Sequence, residues 1–298
     1  MTTISIQDEI HWHQLRSQNV GGSEVAALFD ACSYLTRLEL WLTKRGEIPG
    51  DIPDNDRMFW GRLLEEGIAR GLAEKRSWNV ENPFGYFTCD DTPGMGCTPD
   101  RVIHDPGRPK PGLLQIKNVD RLVFMRWEDG QPPLQYQLQL QHELACAGYD
   151  WGVLAVLVGG NDLQVFEYDA HPVAIARIKR AVSDFWTSVR EGIQPKAVAE
   201  DYDILRDLYG DTNGPPVDMT GNNELPGLCA VALDAAERRK SADKDEKAAK
   251  AEILQIVGDA GRAVCAGFEL KKVRVHKDPY MVAEQNYTML KIKKEKTA

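Results

Sequence analysis

"GLLQIKNVD", residues 112–120, alternates apolar and polar side chains, so Leu114 and Ile116 fall on one face of an extended strand and Gln115 and Lys117 on the other. Just upstream, "GCTPDRVI", residues 96–103, opens a second strand-like run on Asp100. The intervening "HDPGRPKPG", residues 104–112, is dense in proline and glycine and reads as a turn joining two antiparallel strands. An acid, an amide and an amine therefore meet at one end of a hairpin. Taken singly, Gln115 and Lys117 are compatible with a solvated sheet face, and Asp100 with a turn former after Pro99. Their combination favours chemistry: a hard divalent cation takes oxygen ligands, and a neighbouring lysine stabilises a developing phosphorane or positions the attacking water.

The rest of the chain builds a sheet around that hairpin. Ahead of it, the sequence predicts mostly helix: "GGSEVAALFDA" (21–31), "TRLELWLTKRG" (36–46) between a Thr36 cap and a Gly46 stop, and "NDRMFWGRLLEEGIARGLAEKR" (55–76). After it, "LQYQLQLQHELACAG" (134–148) places Leu134, Leu138 and Ala145 on one helical face beside Tyr136, Leu140 and Leu144, with Gly148 as the stop. Then "WGVLAVLV" (151–158) and "LQVFEYD" (163–169) flank the turn "GGND", followed by an amphipathic segment from Val173 to Arg190. The expected fold is α/β (α+β), a central mixed sheet flanked by helices.

Around "YGDTNGPPVDMTGNNELPG", residues 209–227, periodicity gives way to Gly, Pro and Asn, the composition of a linker. This divides the chain into a main domain, 1–208, and an appendage, 228–298, in which a helix around "DEKAAKAEILQIVGDAG" precedes the strand candidates "GFELKKVRV" and "YTMLKIKK", a small helix plus hairpin. The formal net charge is −9, yet residues 237–298 carry 15 Lys plus Arg against 10 Asp plus Glu, leaving 21 against 35 in the rest. An acidic body argues against a general nucleic-acid coat but leaves room for a local basic channel. Six scattered cysteines support neither a zinc ribbon nor a disulfide framework. With no signal-type stretch and no membrane-length apolar run, the expected location is the cytoplasm, of a bacterial host if the origin is phage or prophage, without a membrane partner.

Four stretches in order resemble the lambda-type phage exonucleases, or YqaJ-like viral recombinases, of the PD-(D/E)XK nuclease superfamily: "WHQLRSQNVGGSEVAALF", "WGRLLEEGIAR", "CTPD" with "GLLQIK", and "YQLQLQHELACAG". They cover roughly residues 10 to 190 and leave out the tail. The resemblance implies a restriction-endonuclease-like core. It makes Asp100 the bridging metal ligand, Lys117 the catalytic lysine, the Ile116 backbone carbonyl a further ligand, and Gln139 the glutamine that reaches towards the site. Glu65, four residues after Gly61, becomes the supporting helical acid, directly or through water, although Glu66 beside it leaves that choice open. Arg16, Ser23 and Thr98 match the pocket for the terminal 5′-phosphate; by itself Arg16 reads as a surface arginine and Ser23 as a helix cap. Gln115 departs from the family, which usually has glutamate there, and a neutral amide oxygen coordinates Mg2+ without adding charge.

What the resemblance implies is a Mg2+-dependent exonuclease, with Mn2+ able to substitute, that digests one strand of linear duplex DNA from its 5′ end and leaves a 3′ single strand for recombination. It also implies a homotrimer around DNA and a single-strand annealing protein as partner. Two alternatives stay open: a PD-(D/E)XK endonuclease of restriction or junction-resolving type, and a catalytically inactive DNA-binding recombination scaffold, the latter motivated by Gln115.

Overall fold

The computed structural model describes residues 1–50, 55–83, 85–210, 212–278, 284 and 288–293. Its centre is a five-stranded sheet in the order β2 (Asn79–Glu81), β5 (Arg101–His104), β6 (Gly112–Val119), β7 (Trp151–Val158) and β8 (Asp162–Asp169). Pairing is antiparallel except between β6 and β7, which run parallel with Gln115 opposite Leu154 and Lys117 opposite Val156. The sheet is therefore mixed. Seven of the eight β7 residues are buried, as expected of a central strand covered on both faces.

One face packs against α3 (Asp56–Arg76), where Ile68, Ala69 and Leu72 meet Ile103, Leu114, Ile116, Val153 and Ala155. Asn55 caps α3 by accepting the Met58 N–H at 3.1 Å. The other face buries Val119, Leu154, Val156 and Val158. Over it run the short helix α4 (Arg121–Phe124) and then α5 (Leu134–Ala147), the crossover connection that a parallel strand pair requires. Gly152 permits close approach of α5, because a Cβ there would stand 2.9 Å from Leu140 Cδ1 and 3.0 Å from the Leu113 carbonyl oxygen. The long amphipathic helix α6 (Pro172–Glu191) lies outside α5, with Ile178, Val182 and Phe185 buried.

The first hundred residues hold more strand than their sequence predicts. Besides α1 (Glu9–Ser17) and α2 (Arg37–Arg45), they form a small sheet of β1 (Thr2–Ile4), β3 (Tyr86–Thr88) and β4 (Gly96–Cys97). Its first pairing joins Thr2 to Thr88, a long-range contact with no local signature. Thr36 and Gly46 bound α2 as expected, the Thr36 hydroxyl accepting the Glu39 N–H and Gly46 taking φ 74°. The helix expected over "GGSEVAALFDA" is only a 3-10 turn, Val25–Phe29. Ser23 does not cap it; Glu24 closes the preceding turn by accepting the Gly21 N–H at 2.8 Å.

The chain divides into two compact units, Met1–Ile204 and Leu205–Ala298, with α7 (Tyr202–Leu208) at the division. In the second unit, α8 (Leu225–Val257) starts about twenty residues earlier than the sequence suggests, since its alanine-rich middle and i,i+4 pairs such as Asp234–Arg238 and Glu246–Lys250 sustain a solvated helix. The hairpin that follows pairs β9 (Arg262–Cys265) with β10 (Phe268–Lys271). Thus "GFELK" finds its partner in "RAVC"; the described part of "YTMLKIKK", Thr288–Lys293, forms no strand. Among the described residues no helix is long and apolar enough to cross a membrane.

Gly152→Ala is expected to lower stability by about 1–3 kcal/mol by wedging α5 off β7. Equilibrium urea unfolding measures it, and an unchanged midpoint would contradict the close approach of α5 to the sheet.

Candidate active site

Asp100 stands at the mouth of the β5–β6 hairpin, opposite Gln115. Its Oδ2 accepts the Gln115 side-chain amide N–H at 2.6 Å and the Ile116 backbone N–H at 2.7 Å. The strand carrying the amide thus also orients the acid. Gln115 is buried, and its Oε1 has no hydrogen-bond partner. Lys117, two residues on and on the same face, holds its Nζ 5.4 Å from the centre of the Tyr136 ring of α5. That contact keeps the amine on the side of the sheet covered by α5.

The choice between Glu65 and Glu66 follows from helix geometry. Glu65, Ile68, Ala69 and Leu72 recur at i, i+3, i+4 and i+7, so Glu65 continues the core-facing stripe of α3 to its sheet-edge end. There its carboxyl hydrogen-bonds Asp100 and lies 3.9 Å from Arg101 Nη1. Glu66, turned away by about 100°, is 64% exposed and pairs with Arg101 Nη2 at 3.1 Å. Burial first, then the charge of Asp100 and the hydrogen bond to it, raise the Glu65 pKa to about 7, against the opposing pull of Arg101 and Lys117.

On α5, Gln139 is buried but does not hydrogen-bond Asp100; its Nε2 donates to Glu143 Oε1 at 2.9 Å. Glu143, one helical turn further, was not anticipated from the sequence. It is 2% exposed, and its Oε2 has no partner. Burial and the negative field of Asp100 raise its pKa to about 8, while the Gln139 hydrogen bond and Lys117 act in the other direction. Its only local sequence signal is the i,i+4 spacing from Gln139, which every helix offers.

A second cluster adjoins the first. Arg16 of α1 lays its guanidinium over the Trp12 ring, 4.6 Å from the centroid, and Trp12 Nε1 donates to the Thr98 hydroxyl at 3.2 Å. Trp12 therefore ties Arg16 to the segment that leads into Asp100. Glu24 lies 3.7 Å from Arg16 and is held by Lys44, whose nearly sealed ammonium donates to both Glu24 oxygens and to the Arg16 carbonyl. Burial pulls the Lys44 pKa down, and Glu24 resists that shift. The Ser23 carbonyl accepts from the Tyr34 hydroxyl at 2.8 Å. Gly22 beside it abuts Glu143, since a Cβ there would stand 2.6 Å from Oε1. Trp12, Glu24, Lys44 and Arg101 join the sequence-derived residues only through these contacts.

Among the described residues, no three His, Cys, Asp or Glu side chains converge on a common metal position. The oxygen donors at hand are Asp100, Glu65 and the unpartnered Gln115 amide oxygen, a hard set that suits a divalent cation retaining several waters.

A central mixed sheet flanked by helices, in this strand order, is of the restriction-endonuclease-like fold. Residues 11–150 match the model of the YqaJ-like viral recombinase domain. The chain is 27% identical over 220 residues to protein YqaJ of Bacillus subtilis (strain 168), covering 71% of this chain and 67% of the relative. The crystal structure of LHK-Exo in complex with dAMP aligns with TM-score 0.50 and 19% identity, over 66% of this chain and 98% of the other. A second structure of that alkaline exonuclease, from Laribacter hongkongensis, aligns with TM-score 0.49 and 21% identity over 62% and 94%.

The raised carboxyl groups have a consequence for stability. In the metal-free fold Glu65, facing Asp100, Arg101 and Lys117, and Glu143, facing Asp100, Lys117, Gln139 and Cys146, hold protons that the unfolded chain releases near its ordinary value of 4.5. Their joint contribution therefore favours folding at low pH and declines as pH rises from 4.5 through about 8. Thermal melts with a chelator present should show the Glu143→Gln variant losing less stability across that window than the parent. Parallel curves would contradict the burial of an ionisable Glu143.

Proposed function

We propose that this protein is a Mg2+-dependent exonuclease, with Mn2+ able to substitute, acting 5′ to 3′ on one strand of linear duplex DNA and leaving a 3′ single strand for phage-type recombination. The observation that carries the reading is the grouping of Glu65, Gln115, Ile116 and Lys117 around Asp100, beside a separate Arg16–Trp12–Thr98 cluster. The match of residues 11–150 to the YqaJ-like viral recombinase domain and the likeness to a fold seen with dAMP, a mononucleotide, support the same reading.

In this reading Asp100, Glu65 directly or through water, the Gln115 amide oxygen and the Ile116 backbone carbonyl hold the divalent cation. When bound, the ion supplies Lewis acidity and an acidified water. Water adds to the phosphorus between the first and second nucleotides, the bond to the 3′ oxygen breaks, and a 5′-mononucleotide leaves while the chain keeps a new 5′-phosphate. Lys117 positions the attacking water and offsets charge building on the phosphorane. Arg16, Ser23 and Thr98 hold the terminal phosphate, with Trp12 fixing the spacing of Arg16 and Thr98. Gln139 orders the α5 side through Glu143. A homotrimer around the duplex, a single-strand annealing protein as partner and a cytoplasmic setting complete the proposal.

The test compares 5′-phosphorylated linear duplex with covalently closed circular duplex in Mg2+. Nucleotide release from the linear form alone is expected; cleavage of the circle would favour an endonuclease, and no metal-dependent release from either would favour an inactive scaffold. Lys117→Ala should cut release at least about a hundredfold while melting like the parent.

Arg16→Ala should narrow the preference for 5′-phosphorylated over 5′-hydroxyl ends, read as the ratio of initial rates on the two duplexes. Equal slowing on both would remove Arg16 from the phosphate pocket.

A further inference from the structure

Glu143 is a buried acidic residue near the site that the reaction described above leaves without a task. A carboxyl group sealed from solvent is costly unless both oxygens are satisfied, yet Oε2 has no partner. Its surroundings are built rather than incidental. Oε1 is held by Gln139 at 2.9 Å and rests against Gly22, where any larger residue would collide. Its backbone carbonyl lies 3.9 Å from the thiol of Cys97, the residue before the Thr98–Pro99–Asp100 segment. Two elements that carry site residues, α5 with Gln139 and the loop with Ser23, therefore fix the side chain in place. On the same sheet face, beneath α5, the strand position where the resemblance implies a second acid is the neutral Gln115, itself with an unpartnered buried oxygen.

We propose that Glu143 supplies the acidic charge that Gln115 lacks, serving the divalent-cation centre from α5 through a bound water. This rests on the metal-dependent reading above and deepens it. Mg2+ or Mn2+ ordinarily keeps several waters for such a carboxylate to hold. The relocated acid accounts for three features together: the unpartnered Oε2, the Gln139 hydrogen bond that orients its other oxygen, and the absence of a side chain at Gly22.

The experiment is a calorimetric titration of the full chain with Mn2+ alone, without DNA, for the parent, Glu143→Gln, Gln115→Glu and the double variant, each checked by thermal melting. Removing the Glu143 charge should weaken Mn2+ binding about ten- to a hundredfold. Gln115→Glu in the same background should recover most of that loss, a rescue that a packing role for Glu143 does not produce. If Glu143→Gln fails to fold, Gly22→Ala takes its place: the added methyl displaces the carboxylate without altering charge, and affinity should again fall. Parent-like Mn2+ affinity in a folded Glu143→Gln or Gly22→Ala variant overturns the proposal. When the parent binds Mn2+ and degrades linear DNA, that result defeats only the role of Glu143; a parent that binds no Mn2+ defeats the nuclease reading and this inference with it.

Discussion

The parallel pairing of β6 with β7 is the constraint on which the rest of the structure depends. Parallel neighbours cannot be joined by a tight turn, so the chain must leave β6, cross the sheet and return, and α5 is the body of that crossing. It lands on the face that carries Gln115 and Lys117, and close contact is possible because Gly152 offers no side chain. Tyr136, Gln139 and Glu143 are brought to the site by this topological requirement. The antiparallel partner, β5, performs the complementary task of setting Asp100 opposite Gln115.

Electrostatically the site crowds its acids together. Glu65 shares a hydrogen bond with Asp100, Glu143 feels the same negative field, and burial pushes both towards the neutral form. Only Arg101 and Lys117 oppose this for Glu65, and Arg101 also serves the exposed Glu66. Desolvated acids held close together are costly to ionise, and for that reason both keep their protons to higher pH than an exposed carboxyl would. The amide at position 115 moderates the repulsion, since Gln115 donates to Asp100 where a glutamate would oppose it.

The neighbouring cluster uses different physics for a related end. Arg16 is held by an aromatic face and by Glu24, and Glu24 by a nearly buried Lys44. A guanidinium fixed in this way has already lost most of its rotameric freedom before it meets any partner. Through its indole N–H, Trp12 couples that cation to Thr98, two residues from Asp100. Any ligand seated on Arg16 is thereby registered against the hairpin.

The mixed sheet, its hairpins and the helices bounded by Thr36, Gly46 and Gly148 were legible because each rests on local signals: alternation, turn residues and caps. The same holds for Asp100, Gln115 and Lys117, which lie within one hairpin of eighteen residues. The β1–β3 pairing was not legible, nor was the true partner of "GFELK", because strand pairing is chosen by registry and burial between segments rather than within them. Preference for Glu65 over Glu66 needed the face of α3 that meets the sheet. Glu143 needed more still: its sequence neighbours make it an ordinary helical acid, and only the packing of α5 against β4 and the Gly22 turn seals it from water. The sequence by itself determined which chemical groups sit on one strand face; the tertiary structure decided which distant carboxylates join them, because burial and electric fields are properties of the assembled chain.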